Sequence, residues 1–183
     1  MKLTAMAAML LLFTGSVIAD DNAHKWSVGG SLSYSDYETD EGSISDGAAG
    51  FKAHAQYRLK TWASLEGAFY ISPDFKGDLT PDKAGGETET SFQGITFHGI
   101  AYLPSPTEGI DFFLKGGYFN FFDVSSKVVG SSSENTSSAD GLALGLGSTI
   151  DAGDNLGIRV EFDWYDVSGA DLWAIGIGAE YRF

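Results

Sequence analysis

Cysteine is absent from the 183 residues, which excludes disulfide staples, thiolate metal sites, a thiol nucleophile and a lipid-modified N-terminal cysteine. Basic residues are scarce: 11 Lys and Arg against 25 Asp and Glu leave a formal net charge of -14, so the basic surface of a nucleic-acid binder is missing. Proline is limited to 4 residues and charged residues to 20%, a composition of neither a disordered chain nor a coiled coil. Beyond the first segment no apolar run approaches the ~20 residues of a spanning helix. What the chain has in excess is glycine, 24 residues, and aromatics, 14%. Both are common in β-proteins with tightly packed interiors.

Residues 1–19 open with Lys2, continue through an apolar stretch from Ala5 to Phe13 and close on Val17-Ile18-Ala19. This pattern predicts a secretory signal cut after Ala19, which leaves residues 20–183 as one domain outside the inner membrane.

The remainder alternates with a period of two. Trp26, Val28, Gly30, Leu32 and Tyr34 fall on one face, opposite Ser27, Ser31, Ser33 and Ser35. Ala53, Ala55, Tyr57 and Leu59 oppose Lys52, His54, Gln56 and Arg58, and Leu65, Gly67, Phe69 and Ile71 oppose Ser64, Glu66 and Tyr70. A fourth strand runs from Ile95 to Leu103. A fifth, from Asp111 to Phe122, is apolar on both faces except for Lys115 and Asn120, so its facing is ambiguous; Gly116-Gly117 suggests a bulge there. Leu142, Leu144 and Leu146 then oppose Ala143, Gly145 and Gly147. Leu156 to Trp164 oppose Gly157, Arg159, Glu161, Asp163 and Tyr165, and Trp173 to Phe183 oppose Leu172, Ala174, Gly176, Gly178, Glu180 and Arg182. The count is eight strands.

Connections alternate in length. Leu59 to Thr61, Pro104 to Gly109 and Asp151 to Asn155 are short, whereas 38–47, 73–90 and 123–140 are long and polar, and 166–171 is brief. Short turns at one end and long loops at the other predict an all-β fold, an eight-stranded antiparallel up-and-down transmembrane β-barrel. Both termini and the short turns then lie in the periplasm. The competing soluble barrel is disfavoured by aromatics near the strand ends on the apolar faces: Trp26, Tyr57, Trp62, Trp164, Trp173 and Tyr181.

Several segments resemble a known family. Gly141 to Gly147, the turn Asp151 to Asn155, Arg159-Val160-Glu161-Phe162-Asp163-Trp164 and Ala179-Glu180-Tyr181-Arg182-Phe183 look like the end of an outer-membrane protein A-type barrel, and Lys115-Gly116-Gly117-Tyr118 is similar to that family's fifth strand. The resemblance implies that Tyr181 and Phe183 form the signal read by the outer-membrane assembly machinery. The chain ends there, so tethering to the cell wall through a further domain is not expected.

The inward faces predict a lumenal charge network of Lys52, Arg58, Glu66, Arg159, Glu161, Asp163, Glu180 and Arg182, with Arg159 and Arg58 joined to Glu66, Glu161 or Glu180. Its bland reading is a rigid filling of the barrel; its sharper reading is a gate for ions. His54 and His98 lack a nearby Ser and acid in any recognisable catalytic arrangement and are expected to join the network. Neither an enzyme, a cofactor nor a metal site is predicted. The long loops carry acidic residues: Glu38, Asp40, Glu41 and Asp46; Asp74, Asp78, Asp82, Glu87 and Glu89; Asp123, Glu134 and Asp140. They are expected to form an extracellular surface that meets lipopolysaccharide or an external partner, in a monomer that supports envelope integrity. A narrow low-conductance channel is the alternative.

Overall fold

A computed structural model describes residues 25–39, 42–72, 74–78, 87–128, 134–167 and 170–183. The expected signal segment, Asp40, Glu41 and Asp82 lie outside the described residues. Among the described residues nine strands follow in order: β1 (Trp26–Thr39), β2 (Gly42–Lys60), β3 (Ala63–Ile71), β4 (Phe75–Asp78), β5 (Glu87–Leu103), β6 (Ile110–Val128), β7 (Glu134–Asp151), β8 (Leu156–Val167) and β9 (Ala170–Arg182). Each pairs antiparallel with its neighbours in the order β3-β2-β1-β9-β8-β7-β6-β5-β4, and a β3–β5 ladder closes the barrel.

The ninth element does not add a ninth wall position. β3 pairs Ile71 with Gln93 and β4 pairs Phe75 with Thr90, so both lie along one edge of β5 and together make one course of an eight-stranded barrel. Pro73 falls in the gap between them and has no N–H for a ladder. Ser72 bridges the gap: its N–H donates to the Phe92 carbonyl and its hydroxyl accepts from the Phe92 N–H, both at 2.8 Å.

Side chains alternate between lumen and outer wall as the sequence predicts. β8 alternates without exception between buried and more exposed positions. The outer wall is strongly apolar, with Leu32 67% exposed, Ile177 60% and Leu142 60%. Meanwhile Lys52, Glu66, Arg159 and Glu161 are buried inside. Apolar outside and charged inside is the reverse of a soluble barrel. Aromatics ring this wall at two levels. Trp26–Tyr57 (4.8 Å between ring centroids) and Tyr181–Phe183 (5.0 Å) stand near the short turns, while Tyr34–Trp173, Phe162–Trp173 and Phe69–Phe122 stand near the other boundary. Leu146 lies between the two levels. Leu146→Arg should therefore destabilise the barrel in bilayers by about 2–4 kcal/mol, while an arginine at Ser125, beyond the apolar band, should cost about 0–1 kcal/mol. Urea titrations in lipid vesicles measure both.

Three expectations need correction. The bulge is not at Gly116-Gly117, which pair regularly with Gly99 and His98; the ladders slip instead at Phe122 and Asp123. Glycine is required at 117 for close approach, since a Cβ there would collide with the Phe97 carbonyl and the His98 Cα. The loops are also shorter than polarity suggested. Much of 38–47, 87–90 and 123–140 is strand, because polar segments with few apolar residues can still pair across a hairpin. The first short turn is Thr61–Trp62, with Leu59 and Lys60 still in β2.

Candidate functional site: a charged and plugged lumen

Alternation along six strands delivers the lumenal charges. β2 contributes Lys52 and His54, β3 Glu66, β5 His98, β6 Lys115, β8 Arg159, Glu161 and Asp163, and β9 Glu180 and Arg182. Arg159 is central. Its Nη2 lies 2.6 Å from Glu66 Oε2 and 3.0 Å from Glu161 Oε2, and its Nη1 lies 3.7 Å from Glu180 Oε2. The guanidinium also sits 4.6 Å from the centre of the Phe113 ring. Lys115 Nζ stands 2.5 Å from Asp163 Oδ1, 2.7 Å from Glu161 Oε2 and 3.8 Å from Glu66 Oε1. Lys52 bridges Glu161 and Asp163, the latter at 2.7 Å. Arg182 joins Glu180 (2.9 Å) to Asp151 (2.5 Å) at the short-turn end.

Four cations, Lys52, Lys115, Arg159 and Arg182, thus face four anions, Glu66, Glu161, Asp163 and Glu180. Isolated charges in so dry a lumen would be prohibitively costly, and the mutual pairing is what makes their burial tolerable. His98 Nδ1 is 3.5 Å from Glu66, and His54 Nε2 is 3.8 Å from Glu180, so both histidines border the network.

Seven of the eight predicted members come together. Arg58 does not: it reaches Asp111 at 3.5 Å and covers the Tyr102 ring at 4.2 Å. It lies two residues past Gln56, at the short-turn end of β2, too far along the strand to reach Glu66, Glu161 or Glu180. Lys115, Asp111 and Asp151 were missed. Lys115 and Asn120 differ in parity, so the two polar markers of β6 contradicted each other. Asn120 has the outward parity, between Tyr118 and Phe122 and opposite Asp140 in the ladder, while Phe113, Lys115, Phe119 and Phe121 point inward.

Toward the long-hairpin end the lumen is filled by a second, apolar layer that sequence reasoning did not foresee. The Phe119 and Phe121 rings meet at a tilt, 4.6 Å between centroids; Phe121 also meets Phe92 (5.6 Å), Tyr165 (5.5 Å) and Tyr70 (5.9 Å). Ala48, Phe75, Ala143, Val167 and Leu172 belong to the same cluster, and the Tyr70 hydroxyl shares a 2.7 Å hydrogen bond with Ser35. An ion entering the lumen meets a neutralised charge layer and then a buried aromatic plug.

The predicted acidic surface is distributed along strands. Glu38 pairs in register with Ser43 and Asp171, Asp78 pairs with Glu87, and Asp46 lies within β2. Asp74 and Glu89 are brought together with Asp123 and Lys127 around an outer cavity of about 340 Å³ beside the β3–β4 gap. The Tyr118 hydroxyl donates to Asp140 on the outer wall. Tyr181 and Phe183 form an outward-facing pair at the end of β9.

This architecture has known counterparts. A family model described as an outer membrane protein beta-barrel domain matches residues 5–183. No curated protein matches the chain in sequence. Among solved structures, neisserial surface protein A superposes with a TM-score of 0.66 at 13% identity, covering 89% of this chain and 100% of that one. Ail, the attachment invasion locus protein of Yersinia pestis, gives 0.64 at 15%, with 88% and 100% covered. The outer membrane protein OprG of Pseudomonas aeruginosa gives 0.64 at 14%, with 88% and 96% covered. At these identities the likeness establishes the fold.

Proposed function

The chain belongs to the outer-membrane β-barrel family, and from that premise we propose that it is a closed barrel that supports the envelope and presents an acidic rim to the surroundings. The observation that carries this reading is the filled lumen, in which a balanced ion network lies below an aromatic plug among the described residues. In this reading its role is non-catalytic, which fits the placement of His54 and His98 in the lumen beside Glu180 and Glu66. A narrow conducting channel is the competing reading and would require the network and plug to part together.

In this reading the short turns and both chain ends face the periplasm. The start of β1 and the last residue do lie at one rim, where the Phe183 N–H donates to the Trp26 carbonyl at 2.8 Å. The long hairpins then face outward, among lipopolysaccharide headgroups, and the assembly machinery reads Tyr181 and Phe183. Ail was solved in complex with the heparin analogue sucrose octasulfate. The negative rim here favours cationic partners, or divalent ions shared with lipid phosphates, over a polysulfated ligand.

The absence of native cysteine makes the orientation directly testable. Asn135→Cys should be labelled by a membrane-impermeant maleimide in intact cells, whereas Ala152→Cys should react only after the outer membrane is permeabilised. The reverse pattern would overturn the orientation, and with it the outward-facing rim.

A further inference from the structure

β6 and β7 extend well past the strands beside them. β7 pairs with β8 only from Ala143 to Asp151, opposite Tyr165 to Gly157, whereas it pairs with β6 as far as Glu134. The Asp166 carbonyl still crowds Gly141, where it would collide with a Cβ. From residue 140 back to 134 no described strand covers this edge. About 23 Å of backbone therefore carries alternate N–H and C=O groups with no ladder partner on that side among the described residues. Asn135, Thr136, Ser137, Ser138 and Asp140 are exposed, so the faces of this segment are open as well. The segment 134–140 contains neither Lys nor Pro; Glu134 and Asp140 are its charges, and the β6–β7 ladder slips opposite Ser138.

We propose that this open edge of β7, residues 134–140, is a strand-addition site for an extended, Lys- or Arg-rich segment of a partner protein. Backbone pairing would supply affinity, as in other sheet-edge recognition. Charge selects the occupant. Asp140 lies on the edge strand, with Asp123 on β6, Asp166 on β8 and Asp171 one strand further on β9, while Lys127 stands on β6. A second copy is disfavoured, because antiparallel self-pairing centred on Ser137 would set Glu134 against Asp140, and like charges directly opposite destabilise a ladder.

The inference deepens the surface-interaction reading, but its test does not depend on orientation. The full-length mature protein in nanodiscs, with both rims accessible, is mixed with a synthetic peptide alternating lysine and valine, and amide exchange is followed. Exchange at 134–140 should slow about tenfold or more, while an N-methylated version of the peptide, or one with glutamate for lysine, should leave it unchanged. Equal protection by the N-methylated or the glutamate peptide, or none by the lysine peptide, would overturn the proposal. So would protection that rises with protein concentration alone, because the occupant would then be a second copy.

Discussion

Replacing Arg159 with alanine should destabilise the barrel by about 3–5 kcal/mol, the usual cost of removing one partner from a buried ionic cluster. Arg159 separates three carboxylates, with Glu66, Glu161 and Glu180 all within 3.7 Å of its guanidinium. Without it, four buried or partly buried anions face three cations, and water must enter or a carboxylate must take up a proton. Most of the loss should come from the stranded carboxylates and not from the missing attraction. Arg159→Met combined with Glu66→Leu, which removes one charge of each sign, should therefore recover much of it. Urea unfolding followed by the fluorescence of the 4 tryptophans measures both variants. A single variant within about 1 kcal/mol of the native chain would mean that Arg159 is hydrated, since exposed pairs are worth no more than that.

Phe121→Ala should cost a similar amount, about 3–5 kcal/mol, by opening a cavity in the plug. Phe121 is fully buried and packs against Phe92, Phe119, Tyr70 and Tyr165. Its neighbour Phe122 supplies the control. That ring is 49% exposed on the outer wall, where it stacks on Phe69 and lipid can occupy the space it vacates. Phe122→Ala should lose mainly the ring pairing, about 0.5–1.5 kcal/mol. Equal losses at the two positions would contradict the assignment of one to the plug and the other to the outer wall.

The barrel was legible in the sequence because a wall that separates lipid from a narrow lumen imposes period two on every strand. Arg159, Glu161 and Asp163 interleave with Val160, Phe162 and Trp164, and this alone points three charges inward. β6 resisted the same reasoning because its inward face changes character along its length. Lys115 belongs to the ion layer and Phe119 and Phe121 to the plug, so both faces of the strand read as apolar. The loops were overestimated for a related reason. Residues 123–128 and 134–140 contact neither lipid nor a core over most of their length, so no hydrophobic pattern marks them as strands. Arg58 carried the correct parity but the wrong depth, which alternation cannot report.

Single-channel recording of residues 20–183 refolded in a planar bilayer tests the closed lumen most directly. With folded protein confirmed in the membrane, the native chain should be electrically silent, and Arg159→Ala combined with Phe121→Ala should admit current only if both layers are breached. Long-lived steps from the native chain, altered by Arg159→Ala alone, would contradict the closed barrel and make the ion network a gate.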